Sequence, residues 1–253
     1  MSLSIPLRPE SPRYTARLLF LPDLWAPASL WLRVGGFLGH RGWEGELLEL
    51  RGAGSLADRA EIVLERVAGS VERPVVLIGH GAGGLVALDV ARRTRVAAVV
   101  LVAPLVPGSA QCRRLIARWD AFAAIALGRD IPPPCGARAR RLFGEVPAGL
   151  EEDTARAVLD SVRGRRAALP AVSVPALVVS GECDPLLPRD AAVELVSAMG
   201  AEHVEIAGAG HWPLVPPSWR SSVGVVHRWL VRRLGEPLLE LYADAMAERD
   251  GGD

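Results

Sequence analysis

From position 74 to 84 the chain reads Pro-Val-Val-Leu-Ile-Gly-His-Gly-Ala-Gly-Gly, an apolar run that passes into four glycines just before a segment of helical period. A short run of aliphatic and β-branched residues is the mark of a strand covered on both faces. Glycines directly after it let the backbone bend sharply and approach its neighbours where a Cβ would collide. The junction therefore predicts a tight strand-to-helix turn at the carboxyl end of a buried strand. Such turns belong to parallel sheets with crossover helices.

The rest of the sequence keeps that rhythm. Strands are expected over 16–21, 45–50, 74–79, 97–103, 175–180 and 202–206, and helices over 29–40, 56–69, 83–94, 188–199 and 218–234, with Asp190 and Ser218 near helix starts. The stretch 108–170 is too long for a plain connection. Its segments RRLIARWDAFAAIAL and DTARAVLDSVRGRRAAL space apolar residues at three and four, and Pro132 to Pro134 separate them, so a helical lid is expected there. The domain plan is thus a core of 1–107 and 171–253 with a lid at 108–170. Trp119, Phe122 and Phe143 in the lid either face a ligand cavity or pack the lid on the core. A last helix, PLLELYADAMAERD, either docks on the core or makes a homodimer contact.

Composition narrows the function. Charges balance at a formal net of zero, which gives no field for a nucleic acid or an anionic membrane surface. The three cysteines, Cys112, Cys135 and Cys183, are odd in number and lack paired ligand spacing, so no disulfide framework and no metal site is expected, and a cytoplasmic setting fits. No signal-like start or spanning apolar run is read.

Gly79, Gly81 and Gly84 satisfy the G-x-G-x-x-G of dinucleotide-binding turns. That reading expects an acidic residue at the end of the next strand, and VVLVAPLVP has none. The same turn resembles the Gly-x-Ser-x-Gly nucleophile elbow of the α/β-hydrolase superfamily, with Gly81 where the serine stands. Other pieces follow in that family's order. ARLLFLPDLWAP resembles its oxyanion strand and loop, with Pro22-Asp23 in place of His-Gly. ELRGAG resembles a strand end, PALVVSGECDPLLP the acid-bearing strand, and GAGHWPLVPP the histidine loop. The family's opening hairpin is expected to be shortened or absent. The fold implied is α/β: a mainly parallel sheet, helices on both faces, and a helical lid insertion.

By the same resemblance, His211 corresponds to the general base and Asp184 to the carboxylate that fixes its tautomer, although Asp184 could instead only cap its own turn. The backbone N–H groups of Leu24 and Ala82 correspond to the oxyanion donors. His80 is expected to point into the core. Asp23 is either an additional acid-base group or a cap for the segment that follows it. Asp23, Trp25, Trp119, Phe122, Phe143 and Trp212 are the expected substrate-binding side chains.

A glycine cannot attack a carbonyl, so covalent acyl transfer is not expected. A carboxylate-held imidazole facing N–H donors suits proton transfer beside a carbonyl. The expectation is a cofactor-independent elimination, isomerisation or cyclisation on an apolar carbonyl-bearing metabolite. Members of the superfamily that abandoned hydrolysis in natural-product biosynthesis, its lyases and cyclases, are of this kind. Three alternatives stand beside it. One is a binding protein without chemistry. Another is an ordinary serine esterase or thioesterase altered at position 81. The third and weakest is a Rossmann-type dinucleotide binder.

Overall fold

The computed structural model describes residues 4–23, 28–50, 53–70, 72–106, 172–184 and 187–235. The expected lid, Leu24, Trp25, Trp119, Phe122, Phe143 and the helix over 237–250 lie outside the described residues.

Seven strands form one sheet: β1 (Ile5–Leu7), β2 (Arg17–Leu21), β3 (Glu44–Leu47), β4 (Val75–His80), β5 (Ala98–Val102), β6 (Ala176–Gly181) and β7 (Glu202–Ile206). Their spatial order is β1-β3-β2-β4-β5-β6-β7. All neighbours are parallel except β1, which runs antiparallel to β3 with Ile5 opposite Leu47. Among the described residues, one three-residue edge strand precedes β2. The described helices are a 3-10 turn (Ala28–Trp31), α1 (Leu32–His40), α2 (Leu56–Ala68), α3 (Ala82–Arg93), α4 (Arg189–Met199) and α5 (Trp219–Leu234).

Strand alternation divides the core. Leu19, Leu21, Leu77, Val99, Leu101 and Val178 face α2, α3 and α4. Leu18, Phe20, Val76, Ile78, Val100, Leu177 and Val179 face α1 and α5. With helices on both faces, central strands must be apolar at every position, and β4, β5 and β6 are buried throughout. Ser55 starts α2 with a reciprocal capping box: its Oγ accepts from Asp58 N–H and Asp58 Oδ2 accepts from Ser55 N–H. The expected starts at Asp190 and Ser218 lie where α4 and α5 begin, but neither helix has a side-chain cap; Pro188 and Ser218 are the cap residues. No described helix is long and apolar enough to cross a membrane.

Candidate active site

The site lies at the carboxyl end of the sheet, where β2, β4, β6 and β7 deliver their following loops. Between β4 and α3, Gly81 has φ +54° and ψ −118°, a conformation that side chains rarely adopt. Its N–H donates to Val102 O (3.0 Å), and its carbonyl accepts from Gly84 N–H and Leu105 N–H (both 3.1 Å), so the bend is held from both sides. A Cβ on Gly83 would lie 2.2 Å from Leu21 O, which is why the helix can start directly against β2.

Asp23 occupies the space above that bend. A Cβ on Gly81 would stand 2.2 Å from Asp23 Cγ and 2.3 and 2.5 Å from its two oxygens. Asp23 Oδ1 accepts from Ala82 N–H at 2.7 Å, placing a carboxylate on the N-terminus of α3, where the helix dipole favours negative charge. This corrects the expectation that Ala82 N–H points at a substrate oxygen: it is committed to a side chain of the same protein. Asp23 thus caps the N-terminus of α3, while the segment that follows it lies outside the described residues. The helix end that a dinucleotide phosphate would need carries this carboxylate instead.

The acid and histidine loops are joined by backbone. Cys183 N–H donates to Ala209 O (2.8 Å), and Gly181 leaves room for the carbonyls of Ala209 and Gly210. Asp184 does both things the sequence left open. Its Oδ1 accepts from Leu187 N–H (3.2 Å), while His211 Nδ1–H donates to its Oδ2 (3.0 Å). The opposite nitrogen, His211 Nε2, faces Asp23 Oδ2 at 3.6 Å. Asp23, Asp184 and His211 are buried, and among the described residues neither His211 Nε2 nor Asp23 Oδ2 has a hydrogen-bond partner. His80 lies beneath them, its Nε2–H donating to the His211 carbonyl at 2.8 Å. Trp212, expected at the substrate, is buried with its ring 4.4 Å from that of His80.

Burial alone would lower the pKa of His211, but Asp184 and Asp23 overcome it and raise it to about 10, so the imidazole is a cation between two carboxylates. For Asp23 burial acts upward, yet His211, His80 and the Ala82 N–H together hold the carboxyl below its ordinary value. Burial lowers His80 to about 4, and likewise His227, which accepts a hydrogen bond from Trp43 Nε1–H on Nδ1 (3.1 Å). Arg59, 1 % exposed, was not singled out in the sequence. Burial lowers it to about 10 against the pull of Asp23 and Glu49. Its signal was legible: a cation on the apolar stripe of Leu56, Ala60, Val63 and Val67 in α2.

These values set the pH dependence of stability. Between about pH 4 and 6.5, unfolding lets His80 and His227 take up protons that the folded protein refuses, so stability rises with pH. From about 6.5 to 10 the folded protein keeps the His211 proton that the unfolded chain has released, so stability falls with pH. Urea midpoints measured at half-unit steps are expected to peak near pH 6.5, and a flat profile from 6.5 to 10 would contradict the buried cation.

A model of the alpha/beta hydrolase family matches residues 18–219. No curated protein matches the sequence. Among solved structures, a carboxylesterase of the thaumarchaeon Nitrososphaera gargenis superposes with a TM-score of 0.72 at 15% identity, covering 91% of this chain and 94% of its own. A putative non-heme bromoperoxidase of Mycobacterium tuberculosis gives 0.70 at 17% identity, with 90% and 94% covered. A thermophilic esterase of Thermogutta terrifontis gives 0.66 at 21%, with 92% and 94% covered. At these identities the structures speak for the fold, and the family match over residues 18–219 shows that the chain belongs to the alpha/beta hydrolase family.

Proposed function

We propose that this protein is an enzyme that moves protons instead of acyl groups, using Asp23 as base and His211 as acid on an apolar carbonyl-bearing metabolite. The observation that carries the reading is the pair His211 Nε2 and Asp23 Oδ2, buried, 3.6 Å apart, and set where a serine side chain would stand above the elbow. Gly81 supplies no attacking atom, and the donor that would stabilise a tetrahedral oxyanion is already engaged by Asp23.

The chemistry follows from the two partners. Asp23 Oδ2 takes the proton from the carbon beside the carbonyl as His211 Nε2–H donates to the carbonyl oxygen, giving a neutral enol. The electron pair then returns through carbon. It picks up a proton elsewhere in an isomerisation, expels a β leaving group in an elimination, or attacks an electrophile of the same molecule in a cyclisation. Asp184 keeps its hydrogen bond on Nδ1–H and fixes which nitrogen acts. Each positioned acid or base contributes about 10²–10⁴ in rate.

The packing disfavours reading Gly81 as a change made in an ordinary esterase, since a side chain there meets the Asp23 carboxylate. Two measurements test the proposal. A fluorophosphonate is expected to label no serine of the chain. Carbonyl compounds incubated in D₂O with the protein are expected to gain deuterium beside the carbonyl, read by NMR. Labelling at a serine, or no exchange in any compound that binds, would remove the proposal and, in the second case, leave a binding protein.

A further inference from the structure

His211 Nε2 and Asp23 Oδ2 form a buried ion pair at 3.6 Å, longer than the usual N–H···O length. Two ligands held about 2.1 Å from one metal ion, at an angle of about 110° to 120°, stand about 3.4 to 3.6 Å apart. A third buried donor completes the set: a ring nitrogen of His80 lies within 4.8 Å of the ligand atoms of both Asp23 and His211. The geometry points to a binding site for one divalent transition ion of the zinc class, held by Asp23, His80 and His211.

The surroundings suit that role. A ligating histidine characteristically donates its other N–H to a carboxylate, as His211 Nδ1–H does to Asp184, and a ligating carboxylate is steadied through its second oxygen, as Asp23 Oδ1 is by Ala82 N–H. His80 gives its Nε2–H to a carbonyl, so its Nδ1 keeps a lone pair. Two imidazoles and one carboxylate favour zinc, cobalt or iron over magnesium or calcium, which prefer all-oxygen sets. Three protein ligands also leave a coordination position open. The site does not depend on the proton-transfer reading and competes with it, because an ion on Nε2 and Oδ2 withdraws both atoms from acid-base work. The metal-bound protein is accordingly a resting or inhibited state of that chemistry.

The test is binding without any substrate. Chelator-stripped full-length protein is titrated with Zn²⁺ and, separately, Co²⁺, with magnesium as competitor. Expected are one zinc per chain, visible absorption of low-coordinate cobalt, no competition by magnesium, and at least tenfold weaker binding in His80→Gln and Asp23→Asn. A His203→Gln control on β7 is expected to bind as the parent does. Should the site variants fold poorly, ¹H–¹⁵N spectra of the unaltered protein serve instead: zinc is expected to shift the imidazole nitrogens of two of the five histidines. Failure to take up stoichiometric zinc, equal binding by the site variants, loss in His203→Gln, or unmoved His80 and His211 signals would each overturn the proposal. Deuterium exchange is read on the chelator-stripped protein, so the two ideas fail separately.

Discussion

Gly81→Ser alone is expected to give a less stable protein that still resists fluorophosphonates, whereas Gly81→Ser combined with Asp23→Gly is expected to be labelled. The single change drives a Cβ to within 2.2 Å of Asp23 Cγ and asks a side chain to accept φ +54°. Overpacking of this kind costs about 1–3 kcal/mol before the backbone strain is counted. The serine Oγ would also meet a carboxylate where it needs a carbonyl carbon. Removing Asp23 opens that space, frees Ala82 N–H for an oxyanion and turns His211 Nε2 towards the hydroxyl, while the Asp184 hydrogen bond stays as it is. In serine hydrolases the nucleophile is worth about 10⁶ in rate, so even a poorly aligned double variant is expected to exceed the single one by about 10² in ester hydrolysis. Equal labelling of both would mean that Asp23 does not block the elbow.

Loss of His211 is expected to slow deuterium exchange by about 10³ or more, because the acid and the charge that balances Asp23 disappear together. The fold is expected to suffer as well. An alanine strands two buried carboxylates, Asp23 and Asp184, and breaking a buried pair costs about 3–5 kcal/mol. His211→Gln, which keeps a polar side chain between them, is therefore the sharper probe. Exchange should fall as far as in the alanine variant while the urea midpoint recovers part of the loss. Exchange that survives in His211→Gln would take the imidazole out of the chemistry.

The general fold was open to reading because its signals are local. Strands buried on both faces are continuous apolar runs, and β4, β5 and β6 lie within a residue or two of the expected bounds. β1 was missed because three residues with a central proline carry no period, and only its pairing with β3 makes it a strand. Asp184 and His211 stood in recognisable loops. What no local pattern could give was the fit between Asp23 and Gly81. A carboxylate after one strand fills a space left by a glycine after another, and each looks anomalous until the two are seen together. Arg59 is a related case: its place on an apolar stripe can be read from the sequence, but the charges that it sits beside, Asp23 and Glu49, cannot.

The four strand ends that supply the site bear on how the molecule must assemble. Asp23 follows β2, Gly81 and Ala82 follow β4, Asp184 follows β6 and His211 follows β7, with β5 between. No contiguous fragment of the chain short of nearly the whole sheet holds both the base and the acid. A register slip of one residue in any of these strands would turn its alternating side chains to the opposite face. During refolding, the buried imidazolium can gain both its anions only once the pairings that run from β2 through β4, β5 and β6 to β7 are all in place.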